Sequence, residues 1–310
     1  MSEGHTPVLL EDTLQAIAPR ARALYVDGTF GGGGHSEALL EHADCKVIAL
    51  DRDPEAIARG TTLKKRYPGR LSLVHGRFSR MDRLLVDQGE TGSDGVVLDL
   101  GVSSFQLDES DRGFSFRADG PLDMRMDLSG TSAADFVNTA SEAEIAGVIA
   151  RLGEERHAKR IAHAIVAARP LTRTGELAEI VASALGPAAK RQKIHPATRT
   201  FQALRLYVND ELTELENGLL AAERVLRPHG RLAVISFHSL EDRIVKQFLA
   251  ARSGRVPAGS RHAPDRRATH APTFTHLPSR TPRATEIARN PRARSARLRA
   301  AERTSVPIAA

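Results

Sequence analysis

The chain has 310 residues, 41% of them hydrophobic and 26% charged, enough for a real core in one large domain or two moderate ones. A single cysteine, Cys45, excludes an intrachain disulfide; no apolar run reaches membrane-spanning length, and Met1–Pro7 lacks a leader pattern, so a soluble cytoplasmic protein is expected. The net charge of +6 is uneven: residues 251–310 hold 13 Arg and no Lys against three acids, about +10, which leaves about −4 for the rest.

In chain order, the first expected strand is 24–27, ending in Asp27. It runs into Gly28-Thr-Phe-Gly-Gly-Gly-Gly-His35 and a helix-forming stretch, 36–42. A second strand, 46–51, ends in Asp51, and a helix follows over 54–65. A third strand, 71–75, leads to Phe78 and a helix over 80–88; a fourth, 95–100, ends around Asp99 and Gly101. Strands alternating with helices imply a parallel sheet covered on both faces, an α/β fold.

Ligands of such sheets lie beyond the carboxyl ends of the strands. Glycine lets the backbone approach a ligand closely, and a carboxylate about 20 residues further on suits a ribose diol. These strand ends therefore fit a nucleoside bearing a charged amino-acid tail. Glycine amides would meet its carboxylate, Asp51 its ribose, Phe78 one face of its base, and Asp99 its positive charge. The turn has neither dinucleotide Gly-x-Gly-x-x-Gly spacing nor a Gly-Lys-Ser/Thr ending, which counts against NAD and ATP. Bland alternatives stand beside each residue: a ligand-free turn for the glycines, core packing for Phe78, and a helix N-cap for Asp51, a role Asp53 suits better.

After residue 101 no strand is expected until 231–237. Helices are expected over 141–169 and 175–185, with a long one over 198–226 that Pro228-His229-Gly230 ends; Ser141 and Glu144 read as a capping box. The expected organisation is a sheet core over 1–104, an all-helical insertion for substrate recognition over 105–198, and the rest of the core with a basic tail over 199–310. Residues 251–285 read as a long loop, and the last residues add an edge strand or stay outside the sheet. Asp119, Asp123 and Asp127 read as a turn or helix-face network with Arg117 and Arg125 rather than a metal site, and no spacing resembles a closed metal centre. His157 and His163 read as structural.

From Asp99 onward the sequence becomes distinctive: Leu98-Asp-Leu-Gly-Val-Ser-Ser-Phe-Gln-Leu-Asp108, Arg112-Gly-Phe-Ser-Phe116 and Asp119-Gly-Pro-Leu-Asp-Met-Arg-Met-Asp127. Together with His5–Leu9, His195–Arg205, Ser236–Arg243 and Asn290–Ser295, these segments resemble the bacterial small-subunit ribosomal RNA (cytosine-N4) methyltransferase family, called MraW or RsmH. The resemblance implies a class I, Rossmann-like methyltransferase sheet with a helical insertion. It implies S-adenosylmethionine as methyl donor and a cytidine of the decoding region as acceptor. Carried over by position, the cofactor contacts fall on Gly33, Gly34, His35, Asp51, Phe78, Asp99 and Gln106, of which His35 and Gln106 come chiefly from the resemblance. Phe105 departs from the family pattern, which is expected to alter packing beside the cofactor without abolishing binding.

Methyl transfer from a sulfonium is an in-line displacement, and placing the nucleophile is the enzyme's main task. Amino-methyltransferases of DNA often carry Asp/Asn-Pro-Pro-aromatic after the fourth strand; here that place holds Asp99-Leu-Gly-Val-Ser-Ser104, so Asp99 and Ser103 are the expected catalytic pair. Against this stands a cofactor-only or turn-forming role. His238 is open between meeting the base or a phosphate and capping the next helix. The expected RNA-facing residues are Lys190–Lys193, Arg199, Arg205 and the tail arginines, giving salt-sensitive binding of the small-subunit RNA or the assembled particle. Deleting 290–310 is expected to weaken RNA binding and spare cofactor affinity. A homodimer is left open. Competing functions are methylation of tRNA or DNA cytosine, and a non-catalytic RNA-binding assembly factor.

Overall fold

A computed structural model describes residues 7–186, 194–254 and 271–308. The chain divides into two compact units, Met1–Gly101 with Leu212–Ala310, and Val102–Glu211. Among the described residues no helix is long and apolar enough to cross a membrane.

The first unit is built on a seven-stranded sheet of β1 (Leu24–Asp27), β2 (Lys46–Asp51), β3 (Leu71–His75), β4 (Ser93–Asp99), β5 (Leu226–Ser236), β6 (Phe274–His276) and β7 (Arg297–Arg303). Their order across the sheet is β3-β2-β1-β4-β5-β7-β6. The first five are parallel, and β7 is antiparallel to both β5 and β6. This is the class I methyltransferase arrangement. Side chains alternate between two cores. Val26, Ile48, Leu50, Val96, Leu98, Leu232 and Val234 pack on one face; Tyr25, Val47, Ala49, Val97, Ala233 and Ile235 pack on the other. Burial on both faces explains why the parallel strands read as continuous apolar runs. Chain order runs outward from β1 through β2 to β3, then jumps back to β4 and continues to β5. A crevice therefore opens beyond Asp27 and Asp99.

The first three strands fall on the expected residues, and β4 starts two residues early. Several expectations need correction. The long helix over 198–226 is two helices, Thr198–Val208 and Glu211–Val225, broken at Asn209 and Asp210, where Asp210 takes a left-handed φ of 49°. Pro228-His229-Gly230 lies inside β5 rather than closing a helix. Leu226 pairs with Ser93, the register then shifts, and pairing resumes at Gly95 and Arg231. Such a bulge accommodates His229 at a φ of 65°. The stretch 251–285 contains β6, although 255–270 lie outside the described residues. Finally, β7 is an internal strand, not an edge, with Leu298, Ala300 and Ala301 almost wholly buried.

The second unit is helical, with helices Ser104–Asp108, Ala133–Thr139, Glu142–Gly153, Ala158–Ala167, Thr174–Leu185 and Thr198–Val208. Ile145, Ile149, Ile161, Ile165, Leu177, Phe201 and Leu204 share its core. Its limits are wider than the expected 105–198 because Thr198–Val208 buries Phe201, Ala203 and Leu204 there. A Cβ on Gly153 would come within 2.6 Å of the Arg199 carbonyl, so this glycine lets helices Glu142–Gly153 and Thr198–Val208 approach. The Ser141–Glu144 capping box forms: the Ser141 N–H donates to Glu144 Oε2 at 2.8 Å and the Glu144 N–H to Ser141 Oγ at 3.3 Å. Asp123 pairs with Arg125 at 2.7 Å, while Asp119 pairs with Arg173 rather than Arg117.

Because β7 holds β6 to β5, removal of residues 290–310 is expected to unfold the first unit, abolishing cofactor and RNA binding together. The milder Leu298→Ala should cost about 2–5 kcal/mol of stability, read as a lowered midpoint in urea.

Candidate cofactor site at the strand switch

The carboxyl edge of the sheet gathers three acids. Asp27 is buried at the end of β1, where it accepts from the Thr29 N–H at 3.1 Å and the Ser36 hydroxyl at 2.7 Å. Asp51, at the end of β2, accepts from the Gly31 N–H at 2.7 Å and the Asp53 N–H at 2.8 Å. Asp99, at the end of β4, donates its N–H to Thr29 Oγ1 at 2.7 Å. Its Oδ2 lies 3.7 Å from His35 Nδ1, and its Oδ1 is buried without a hydrogen-bond partner. The glycine turn is thus shaped by the acids around it: Asp27 and Asp51 draw its amides inward.

Burial raises the pKa of all three. For Asp27 it outweighs the hydrogen bonds that favour the charged form. It pushes Asp51 up to about 6. Asp99 rises well above the usual carboxylate range through burial, reinforced by the charges of Asp27 and Glu241. Burial also lowers His35 to about 4, so its imidazole is neutral near pH 7. The rim has unmet capacity to hold positive charge and to donate from backbone amides.

The glycines serve distinct ends. Gly33 has a φ of 81° and caps helix Gly34–His42, and a Cβ there would lie 2.8 Å from the Phe30 ring. Its N–H donates to the Phe30 carbonyl at 2.7 Å, so its part is to shape the turn. Gly34 lies where a Cβ would strike the Pro7 ring at 2.2 Å. Gly34 and His35 lead the helix, where the first N–H groups have no intrahelical acceptor and favour an anion.

Phe78 opens the 3-10 turn Phe78–Arg80 and is half-buried. Two residues of helix Glu211–Val225 seat it. Glu214 accepts from the Ser79 N–H at 2.9 Å and the Ser79 hydroxyl at 2.8 Å. A Cβ on Gly218 would come within 2.2 Å of the Phe78 ring. Glu214 and Gly218 share a helix face through their i,i+4 spacing. Sequence reading missed both, because the contact spans 135 positions and neither residue carries a motif.

Gly33, Gly34, His35, Asp51, Phe78 and Asp99 all belong to the first unit; Ser103 and Gln106 belong to the second. There they form a reciprocal capping box on helix Ser104–Asp108. The Ser103 N–H donates to Gln106 Oε1 at 3.0 Å and the Gln106 N–H to Ser103 Oγ at 3.2 Å. Phe105 is exposed on the same helix. His238 caps helix Ser239–Arg252, accepting from the Glu241 N–H at 3.4 Å.

The expected RNA contacts divide. Arg205 is held by Glu211 in two hydrogen bonds of 2.7 and 3.0 Å and is mostly buried, which removes it from an exposed surface. Arg199 is exposed, 3.5 Å from Glu155. Lys190–Lys193 lie outside the described residues. Several tail arginines are structural. Arg299 grips Asp242 at 2.7 Å, Arg252 meets Glu223 at 3.2 Å, and buried Arg303 donates to the carbonyls of Thr273, Thr304 and Val306.

A family model described as the MraW methylase family matches residues 2–304. The ribosomal RNA small subunit methyltransferase H of Rhizorhabdus wittichii is 60% identical over 304 residues, covering 97% of this chain and 94% of its own. The protein of the same name from Rhodospirillum centenum is 59% identical over 308 residues, 98% of this chain and 93% of its own. That from Parvibaculum lavamentivorans is 55% identical over 308 residues, 98% and 90%.

Gly218→Ala should displace the Phe78 ring and weaken binding of adenosine-containing ligands about tenfold while leaving the melting midpoint within a few degrees. Unchanged affinity in calorimetry would show that Phe78 is core filling only.

Proposed function

The chain belongs to the MraW methylase family, and on that premise we propose that it transfers a methyl group from S-adenosylmethionine to the exocyclic N4 of a cytidine in the decoding region of small-subunit ribosomal RNA. The observation that carries this reading is the match over nearly the whole chain, with relatives near 60% identity bearing one ribosomal RNA methyltransferase name. The site supports it independently. S-adenosylmethionine carries a net positive charge, and the buried, unpartnered Asp99 Oδ1 is an acceptor waiting beside two further carboxylates.

When bound, S-adenosylmethionine supplies an electrophilic methyl carbon on its sulfonium. Asp51 holds the ribose hydroxyls with the lone pairs left over from Gly31 and Asp53. The amides of Gly34 and His35 hold the amino-acid carboxylate, Phe78 covers the adenine, and neutral His35 lines the rim without adding a competing cation. With the bound sulfonium favouring its charged form, Asp99 accepts from the cytidine amine, fixing the line of attack, and takes the proton released on transfer. Ser103 and Gln106 shape the turn after β4 through their capping box. The helical unit and exposed basic residues present the RNA, whose target base is reached single-stranded or flipped. The reading places the protein with its ribosomal substrate in the cytoplasm.

Incubation with methyl-labelled S-adenosylmethionine and small subunits lacking the modification should yield N4-methylcytidine at one decoding-region position, read by nuclease digestion and mass spectrometry. Label confined to tRNA or DNA, or cofactor binding without transfer, overturns the reading. Asp99→Asn should lower turnover about 10²-fold or more at saturating cofactor, with near-normal folding.

The pH dependence has a defined sign. A cationic ligand stabilises the charged Asp51, so binding drives off the proton that the free protein holds below about 6. Affinity should therefore fall as pH drops through about 6. Calorimetry at pH 5.5 in buffers of different ionisation enthalpy should detect proton release.

A further inference from the structure

The link between β6 and β7 lies on the same rim as the acidic crevice. β7 runs antiparallel to β5, and its first residue, Arg297, pairs with Ser236, the last residue of β5. β6 is antiparallel to β7 and thus parallel to β5. The chain therefore leaves β6 and enters β7 at the carboxyl edge of the sheet, where Asp27, Asp51 and Asp99 end their strands. The link is fastened there. Glu286, on helix Ala284–Arg289, accepts from the Leu9 N–H at 2.7 Å. Two residues earlier, Pro7 packs on Gly34 of the glycine turn. Ala293 and Ala296 are buried in the core that contains Phe30 of the same turn.

On this anchored segment Arg283, Arg289 and Arg294 are exposed, and the side chain of none is engaged in a salt bridge among the described residues. They differ in this from Arg299, Arg252 and Arg303, which the fold consumes. The segment's acid, Glu286, is turned onto the Leu9 amide. A fastened, basic border thus shares the sheet rim with a crevice of buried carboxylates. The crevice offers carboxyls and the border offers guanidinium groups, so a polyanion delivering one base to Asp99 finds its complementary charge at the edge.

We infer that Arg283, Arg289 and Arg294 form a phosphate clamp for the ribosomal RNA backbone flanking the target cytidine, an inference that rests on the RNA reading above. Phosphates of an RNA strand require charge there, not a particular side-chain shape. The test is the triple variant Arg283→Ala/Arg289→Ala/Arg294→Ala against the triple Lys variant, using a decoding-region RNA fragment and, separately, S-adenosylmethionine. The Ala variant should bind RNA at least tenfold more weakly near 0.1 M salt, with a log–log salt slope reduced by about 2. The Lys variant should regain most of the affinity. Cofactor affinity and melting midpoint should match the unaltered chain in both, separating a clamp from a folding role. An unaltered salt slope in the Ala variant overturns the clamp alone. Failure of the unaltered chain to bind the RNA overturns both the clamp and the function on which it rests.

Discussion

The rest of the molecule depends on one electrostatic tension: carboxylates packed into the carboxyl edge of a parallel sheet where the strand order reverses. Burying an acid is costly unless donors surround it. Asp27 and Asp51 recover part of that cost by binding the amides of Thr29, Gly31 and Asp53, and this fixes the path of the glycine turn. Asp99 recovers less. Its Oδ1 has no partner, the carboxyls of Asp27 and Glu241 raise its pKa further, and the nearby His35 is neutral. In the free protein burial disfavours the charged forms of these acids, so the rim suits a cationic ligand that would favour them.

That arrangement also explains how the charge is distributed. The sequence suggests a basic tail on an acidic body. In the fold the tail is divided by use: Arg252, Arg299 and Arg303 knit β6, β7 and helix Ser239–Arg252 into the sheet, while exposed arginines remain on the link before β7. Charge counts cannot separate these roles, since Asp242 and Glu223 meet their arginines only in three dimensions.

Much of the sheet was legible because parallel strands buried on both faces leave continuous apolar runs, and the acids ending β1, β2 and β4 marked the rim. β6 and β7 were harder. Phe274–His276 is three residues long, and Arg297–Arg303 is rich in arginine and alanine, so both are strands through pairing rather than propensity. The break at Asn209 was hidden because Asn209 turns inward: its amide donates to Met124 and Arg205 carbonyls and its carbonyl accepts from the Met126 N–H. Ser103 and Gln106 have the spacing of a capping box, in line with the turn-forming alternative to a catalytic Ser103. Glu214 and Gly218 were beyond reach, since their meaning lies in a turn far away in sequence.

The segment after β4 therefore bears on how the proposed reaction divides its labour. The Ser103 oxygen already accepts from the Gln106 amide, and the Gln106 carbonyl already accepts from the Ser103 amide. A neutral hydroxyl committed to a helix cap is a poor proton acceptor at neutral pH. Asp99, four residues earlier, has the opposite character: a raised proton affinity, a buried oxygen without a partner, and a backbone held by Thr29. In this fold Ser103 sets where the chain goes after β4, and Asp99 is the group there with the capacity to receive a proton. On the proposed reading, the carboxyl that shares the tension shaping the glycine turn is also the base for methyl transfer.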